Sequence, residues 1–373
     1  ASLNASNSGV YEYNSTAFGA DTDRAKSDNT KATIYYYRGI LDSTTGTYGS
    51  DGDGVAYPNY VILDGDGTKT TADTCWRIIR TTGSGGVKMI YNGNWTGSTC
   101  ANATTSAQIN SPVSTSTFNG TANTTSIARQ AVRVGYTHNS TYATTSNSTQ
   151  PPNTLFGSDS NYSVNNTDST VKGNVESWYN SNLTSYTSIL EPNAGYCNDR
   201  SAFQNTSGST ATVNLRSYVT NANQTGTTYR AYFGAYTRNI GTSKVPGLGC
   251  SKSTVDVYST STSAGGNGQL DAPVALITAD EASFAGSGSQ TASQGSGYNA
   301  NSFLRTGSNF WTMSPYYRYG SYAYNFYMNT NGYMQNGRVD TAYGIRPVVS
   351  LQDGTTPSDG TGTATDPWVI RAP

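Results

Sequence analysis

Four cysteines, Cys75, Cys100, Cys197 and Cys250, and one histidine, His138, are the side chains most suited to nucleophilic or metal chemistry in this 373-residue chain. None of the cysteines forms a C-x-x-C pair, and His138 lies far from all of them in sequence. Zinc sites need clustered Cys and His ligands, so this spacing argues against one. A Ser-His-Asp arrangement would need His138, which sits in Thr137-His-Asn-Ser140 without a nucleophile-elbow motif. Paired carboxylates could do glycosidase chemistry, but the 23 acidic residues form no such signature. Two Asp-Gly-Asp-Gly stretches, Asp51 to Gly54 and Asp64 to Gly67, resemble the start of a calcium loop. Neither continues into the full ligand pattern, so both read as tight turns between strands. The expectation is a non-enzymatic chain with no cofactor and no metal.

An even cysteine count in an exported chain favours disulfides. Four cysteines allow three pairings; Cys75–Cys100 with Cys197–Cys250 is the expected one, with four buried free thiols as the alternative. Each bond would stabilise by about 3–4 kcal/mol in the chain-entropy account.

The elements that must position these residues are mostly strands. Charged residues make up 12% of the chain, against about 25% in an ordinary soluble domain, so the surface is polar without being ionic. Disordered chains lack aromatic and β-branched residues, whereas this one holds 29 tyrosines and is rich in Thr, Val and Ile. Those types fit a pleated, half-buried surface. The net charge of −1 argues against a nucleic-acid partner, which calls for a basic stripe. No apolar run approaches the ~18 residues that span a bilayer. The opening Ala1-Ser-Leu-Asn-Ala-Ser6 reads as a processed or trimmed end whose export or membrane signal has been removed. Met89 to Ala128, Val134 to Val171 and Ser253 to Leu304 lack Lys and Arg, a pattern that suits life outside the cell.

Along the chain, Val10-Tyr-Glu-Tyr13 is an apolar-aromatic island in a polar segment. Val10, Tyr11 and Tyr13 could add as an edge strand to something else. Thr33 to Arg38 is a strand, and Cys75 to Arg80 with Val87 to Tyr91 flank a Gly-rich turn as a hairpin. Ala131 to Tyr136 is a short strand candidate. Val171, Val175, Trp178, Tyr179 and Leu183 share one helical face, with Asp168 or Ser169 as cap. Ala272 to Glu281 reads as a buried strand running into a short helix, and Trp368-Val-Ile370 as a final strand. The organisation expected is an N-terminal extension (1–30), one large domain (31–352) and a C-terminal tail (353–373).

Several segments together resemble a family of exported surface proteins of gut-dwelling Firmicutes and their wall-less relatives. They are Tyr35-Tyr-Tyr-Arg-Gly39, Asn59-Tyr-Val-Ile-Leu63, Cys75-Trp-Arg-Ile-Ile-Arg80, Val87-Lys-Met-Ile-Tyr-Asn-Gly93 and Gly195-Tyr-Cys-Asn-Asp-Arg-Ser201. Leu276 to Glu281, Phe310-Trp-Thr-Met-Ser-Pro315, Arg346-Pro-Val-Val-Ser-Leu351 and Asp359 to Trp368 follow in the same order. The resemblance implies a C-type-lectin-like C-terminal module, so the fold expected is a β-rich α+β domain of that kind, with long polar insertions and a few short helices. Some members of the family look like pilins with a prepilin-type apolar helix, which this chain lacks. Formylglycine-generating enzymes share the broad fold, but the cysteines here do not match their active-site pair.

Glu191-Pro-Asn193 matches the calcium tripeptide of sugar-binding C-type lectins. The Asn-Asp that should follow some twenty residues later comes at Asn198-Asp199, too soon, so a turn is the expectation. Tyr316, Tyr317, Tyr319, Tyr322, Tyr324, Tyr327 and Tyr333 fall where retroelement-diversified relatives of this fold present a ligand-facing surface. Tyrosine gives large contact area at low entropic cost; the alternative is that half of these side chains are sheet core. About a dozen N-x-S/T sequons between Asn4 and Asn223 leave glycosylation open. The function expected is an extracellular, cell-surface structural protein: the subunit of a filament or pilus-like assembly, self-associating through its N-terminal extension. The alternative is a monomeric adhesin that presents the tyrosine-rich block to a host or cell-surface glycan or protein.

Overall fold

A computed structural model of the protein describes residues 10–13, 33–38, 40–41, 48–49, 58–100, 113–120, 134–138, 167–200, 202–206, 209–212, 230–240, 245–250, 253–288, 302–319 and 322–372. It is a β-rich α+β fold built on two sheets. Strands are numbered along the chain. The first sheet is centred on the expected hairpin, β6 (Thr74–Thr81) and β7 (Val87–Asn94). The turn between them closes through Thr82 N–H to the Gly86 carbonyl at 2.9 Å. Gly85 there has φ +93, and a side chain on Gly86 would meet the Leu351 carbonyl at 2.2 Å, so both positions need glycine.

One edge of β6 carries two neighbours. β5 (Tyr60–Leu63) covers its first half, Tyr60 opposite Arg77, and β2 (Tyr35–Tyr37) covers the far end, Tyr36 opposite Arg80. β21 (Trp368–Ile370) lies parallel to β5, β20 (Val348–Leu351) pairs β7, and β1 (Val10–Glu12) pairs β2. Trp368–Ile370, expected as a final strand, thus joins the first sheet, with Val369 and Ile370 in the core.

The second sheet runs β13 (Ser209–Thr212), β12 (Ala202–Thr206), β14 (Arg230–Phe233), β16 (Phe310–Tyr319), β17 (Tyr322–Met328), β18 (Met334–Arg338), all antiparallel. β19 (Ala342–Ile345) joins β16 by one parallel bridge and pairs β8 (Ser114–Thr117). The two-residue pairs β3/β4 (Ile40–Leu41, Tyr48–Gly49), β9/β10 (Thr137–His138, Thr167–Asp168) and β11/β15 (Tyr196–Cys197, Val257–Tyr258) stand apart. Of Ala131 to Tyr136, the described residues 134–136 lie outside any strand.

Helix α1 (Thr170–Asn182) forms where the apolar spacing predicts it. Of the two cap candidates Ser169 is the one used, its Oγ accepting from Lys172 N–H at 3.2 Å. Helices α2 (Gly234–Asn239) and α3 (Ala279–Phe284) are short. The buried strand expected before α3 is instead an extended run with one bridge, Ala275 to Val348; its Ile277 carbonyl accepts from Met313 N–H across to the second sheet. One apolar cluster unites Ile62, Trp76 and Met89 of the first sheet with Trp311, Met313 and Phe326 of the second and Val171 and Val175 of α1. No helix among the described residues is long and apolar enough to cross a membrane.

Candidate functional site

The N-terminal island is the outermost described strand at one side of the first sheet. Val10 faces Tyr37, Tyr11 faces Tyr36 and Glu12 faces Tyr35, and Tyr13 N–H donates to the Ile34 carbonyl at 2.7 Å. In this chain the strand therefore closes onto its own sheet. Val10 and Tyr13 are buried, and the Tyr11 ring stacks on Tyr36 at 5.7 Å. Tyr13 is received by a socket. Its ring meets Phe284 edge-on at 5.3 Å, and its hydroxyl accepts from Leu248 N–H at 3.1 Å. Tyr13, Ile34, Leu248 and Phe284 form an apolar cluster separate from the main core, with Tyr36 packed against it.

Charged groups stand behind the socket. Gly247 N–H donates to Asp280 Oδ1 at 3.0 Å. Arg238 grips Asp280 with two nitrogens, at 2.9 and 2.8 Å, and reaches Asp199 Oδ2 at 2.6 Å. Arg200 Nε meets Asp256 Oδ1 at 2.7 Å. Burial pushes the Asp256 carboxyl up to about 6 against the pull of Arg200. Glu281, next along α3, sits between Arg80 Nε at 2.9 Å and Lys88 Nζ at 3.0 Å. It also completes a capping box with Thr278. Burial disfavours its charge, but Lys88 and then Arg80 outweigh burial and hold it down to about 2. The first sheet is thereby tied to α3 by buried charge, and α3 carries Phe284 of the socket.

The tyrosine run splits at Pro315. That residue sits where the β16–β17 register shifts on both sides, as expected for a proline inside a strand. Tyr316 and Tyr327 are buried, Tyr316 against Phe326 and Tyr236, and Tyr327 stacked on Tyr343 at 4.2 Å. Tyr317 and Tyr324 are half-buried, face one another across the strands and stack at 4.7 Å, with the Tyr317 hydroxyl 3.4 Å from Asn336 Oδ1. Tyr333 is half-buried, and Tyr319 pairs with Tyr322 through the backbone. Only part of the run is open to a ligand.

Both disulfides form as expected, Cys75–Cys100 and Cys197–Cys250. Glu191-Pro-Asn193 is a turn, its Asn193 N–H 3.4 Å from Glu191 Oε1. Asn198 is committed inside the fold: Oδ1 accepts from Tyr136 N–H, and Nδ2 donates to the Met313 and Val134 carbonyls. Asp64 Oδ1 accepts from Gly67 N–H at 2.7 Å in a tight turn; Asp51 to Gly54 lies outside the described residues. His138 is buried beside Asn119. Asp168, Glu176 and Asp271 bring carboxylates within 4.8 Å of one another. Lys172 Nζ sits among them at 3.0, 2.8 and 3.6 Å, so a side-chain ammonium is the cation they share.

Leu248, Phe284, Asp280 and Glu281 were not legible as socket residues. The one local signal was Thr278-x-x-Glu281, a capping-box spacing. No family model, curated protein or solved structure matches this chain.

Proposed function

We propose that the chain is an exported, non-enzymatic cell-surface protein that serves as the subunit of an extracellular filament, with its N-terminal strand exchanged between copies. The observation that carries this is the separateness of the strand's seat: Tyr13 fills its own small cluster, so the strand can leave without opening the main core. Nineteen residues, 14–32, join Tyr13 to Thr33. Fully extended they reach roughly 65 Å, enough to place the strand in a neighbour's socket. Edge strands are where sheets of different chains join. The two disulfides suit an oxidising compartment. On this reading residues 310–351 are the C-type-lectin-like module that the family resemblance implies, and the partner is a second copy of the chain.

A second reading, a monomeric adhesin, is favoured by the same strand closing on its own β2 and by the stacked Tyr317–Tyr324 pair. That pair would be its contact surface for a glycan or protein. Electron microscopy of native material beside a version lacking residues 1–25 tests the proposal. Filaments that vanish on truncation support it; dispersed particles in both samples overturn it in favour of the adhesin.

A further inference from the structure

The socket that receives Tyr13 belongs to a closed ring of contacts containing one disulfide. Leu248, whose N–H holds the Tyr13 hydroxyl, lies two residues before Cys250. Cys250 is bonded to Cys197 at the end of β11, and Asp199, two residues on, meets Arg238. Arg238 grips Asp280, and Asp280 accepts from Gly247, which returns the ring to Leu248. The two disulfides are placed differently. Cys75 and Cys100 lie within the main core cluster, whereas Cys197 and Cys250 share a small cluster with Val257 alone.

We infer that the Cys197–Cys250 disulfide is a redox latch for the N-terminal strand: oxidised, it fixes residues 245–250 and completes the socket for Tyr13; reduced, it leaves them to the Gly247–Asp280 hydrogen bond and the Leu248 packing, and the strand undocks more readily. Reduction by an external thiol cleaves the Sγ–Sγ bond and leaves a thiol on each cysteine. Two reductant thiols supply the two electrons and two protons and become a disulfide. The main core keeps its own cystine, so opening is confined to the socket, as a local unfolding unit of low stability. The latch holds for a strand docked from the same chain or from a neighbour, so it stands apart from the filament reading.

Amide hydrogen exchange on the full chain tests it, comparing Cys197→Ser/Cys250→Ser with Cys75→Ser/Cys100→Ser. The first variant should lower protection at residues 10–13 by about tenfold or more while 74–94 stay protected. The second should lower protection across 74–94 and, through β2 and α3 that rest on that hairpin, at 10–13 as well, so the first variant is the one that separates the two regions. Unchanged protection at 10–13 in the first variant overturns the latch. So does joint loss at 10–13 and 74–94 in that first variant, which would make the bond a staple of the whole fold. Tyr13→Phe, which keeps every cysteine, should lower protection at 10–13 by about fivefold, the equivalent of a net hydrogen bond of about 1 kcal/mol. No change there would show that Leu248 is not the link.

Discussion

Replacing Glu281 by Gln removes the carboxylate that Arg80 and Lys88 share while leaving the side chain's volume in place. All three side chains are 1–2% exposed, so the two cations cannot turn to water when their partner is neutralised. Removing one member of a buried pair typically costs about 3–5 kcal/mol, because the charge left behind is uncompensated. The amide can still accept one hydrogen bond and can keep part of the capping box with Thr278, which places the expected loss near the lower end, about 3 kcal/mol. Urea unfolding followed by tryptophan fluorescence at pH 7 reads the change as a lower midpoint at constant slope. A loss under about 1 kcal/mol would refute the reasoning, since it would mean that their other contacts, Lys88 Nζ to the Gly195 carbonyl and Arg80 Nη1 to the Thr81 carbonyl among them, carry both charges without the carboxylate. Glu281→Leu is the informative companion: it should be as damaging or worse, because the cost lies in keeping Arg80 and Lys88 buried without the carboxylate rather than in lost packing.

Stability should peak in mildly acidic solution. Asp256 is raised from 3.8 to about 6, so its contribution is fully present below about 4 and is lost as pH rises through about 6. Glu281 is lowered from 4.5 to about 2, so its contribution is present above about 4.5 and is lost as pH falls toward 2. Asp256→Asn should flatten the slope between pH 4 and 6, and Glu281→Gln the slope below 4.5, in urea midpoints taken across pH. Asn198→Ala strands the buried Tyr136 N–H and Met313 carbonyl that it now joins and should cost about 3 kcal/mol in the same assay. Gly337→Ala would bring a methyl group within 2.5 Å of the Tyr343 ring and 3.0 Å of Trp311. It should cost about 1–3 kcal/mol and weaken the near-ultraviolet circular dichroism of that aromatic stack.

What could be read from the sequence was local. Alternation and a Gly-rich turn predict the Thr74–Asn94 hairpin because pairing partners sit next to one another in the chain. The i, i+4 spacing from Val171 to Leu183 predicts α1 because one face repeats every turn. The rest depends on distant partners. Glu281 meets Arg80 and Lys88 across 201 and 193 residues, and nothing in the local pattern of either segment names the other. The Ala272–Thr278 run is apolar enough for a strand, yet it makes only the Ala275–Val348 bridge. It spans the space between the sheets instead of extending one. In the tyrosine block composition alone cannot tell core from surface. The register shifts at Pro315 decide that Tyr316 turns inward while Tyr317 stays half-open. The Val10–Tyr13 island reads in sequence as an edge strand added to something else; its pairing with the chain's own β2 and the seat of Tyr13 between Leu248 and Phe284 were not legible.

Strand exchange can be read most directly from one engineered cross-link. Tyr11 and Tyr36 are register partners in β1 and β2, and directly opposed residues of antiparallel strands stand about 4.5–5.5 Å apart at Cα, within the reach of a disulfide. Tyr11→Cys/Tyr36→Cys should be introduced into native, assembled material and oxidised, then run on a denaturing gel without reductant, with peptide mass spectrometry confirming the new bond. Strand exchange predicts a ladder of covalent multimers joined through residues 11 and 36 of different chains. A quantitative 11–36 bond within single chains, with every molecule running as a monomer, would contradict it.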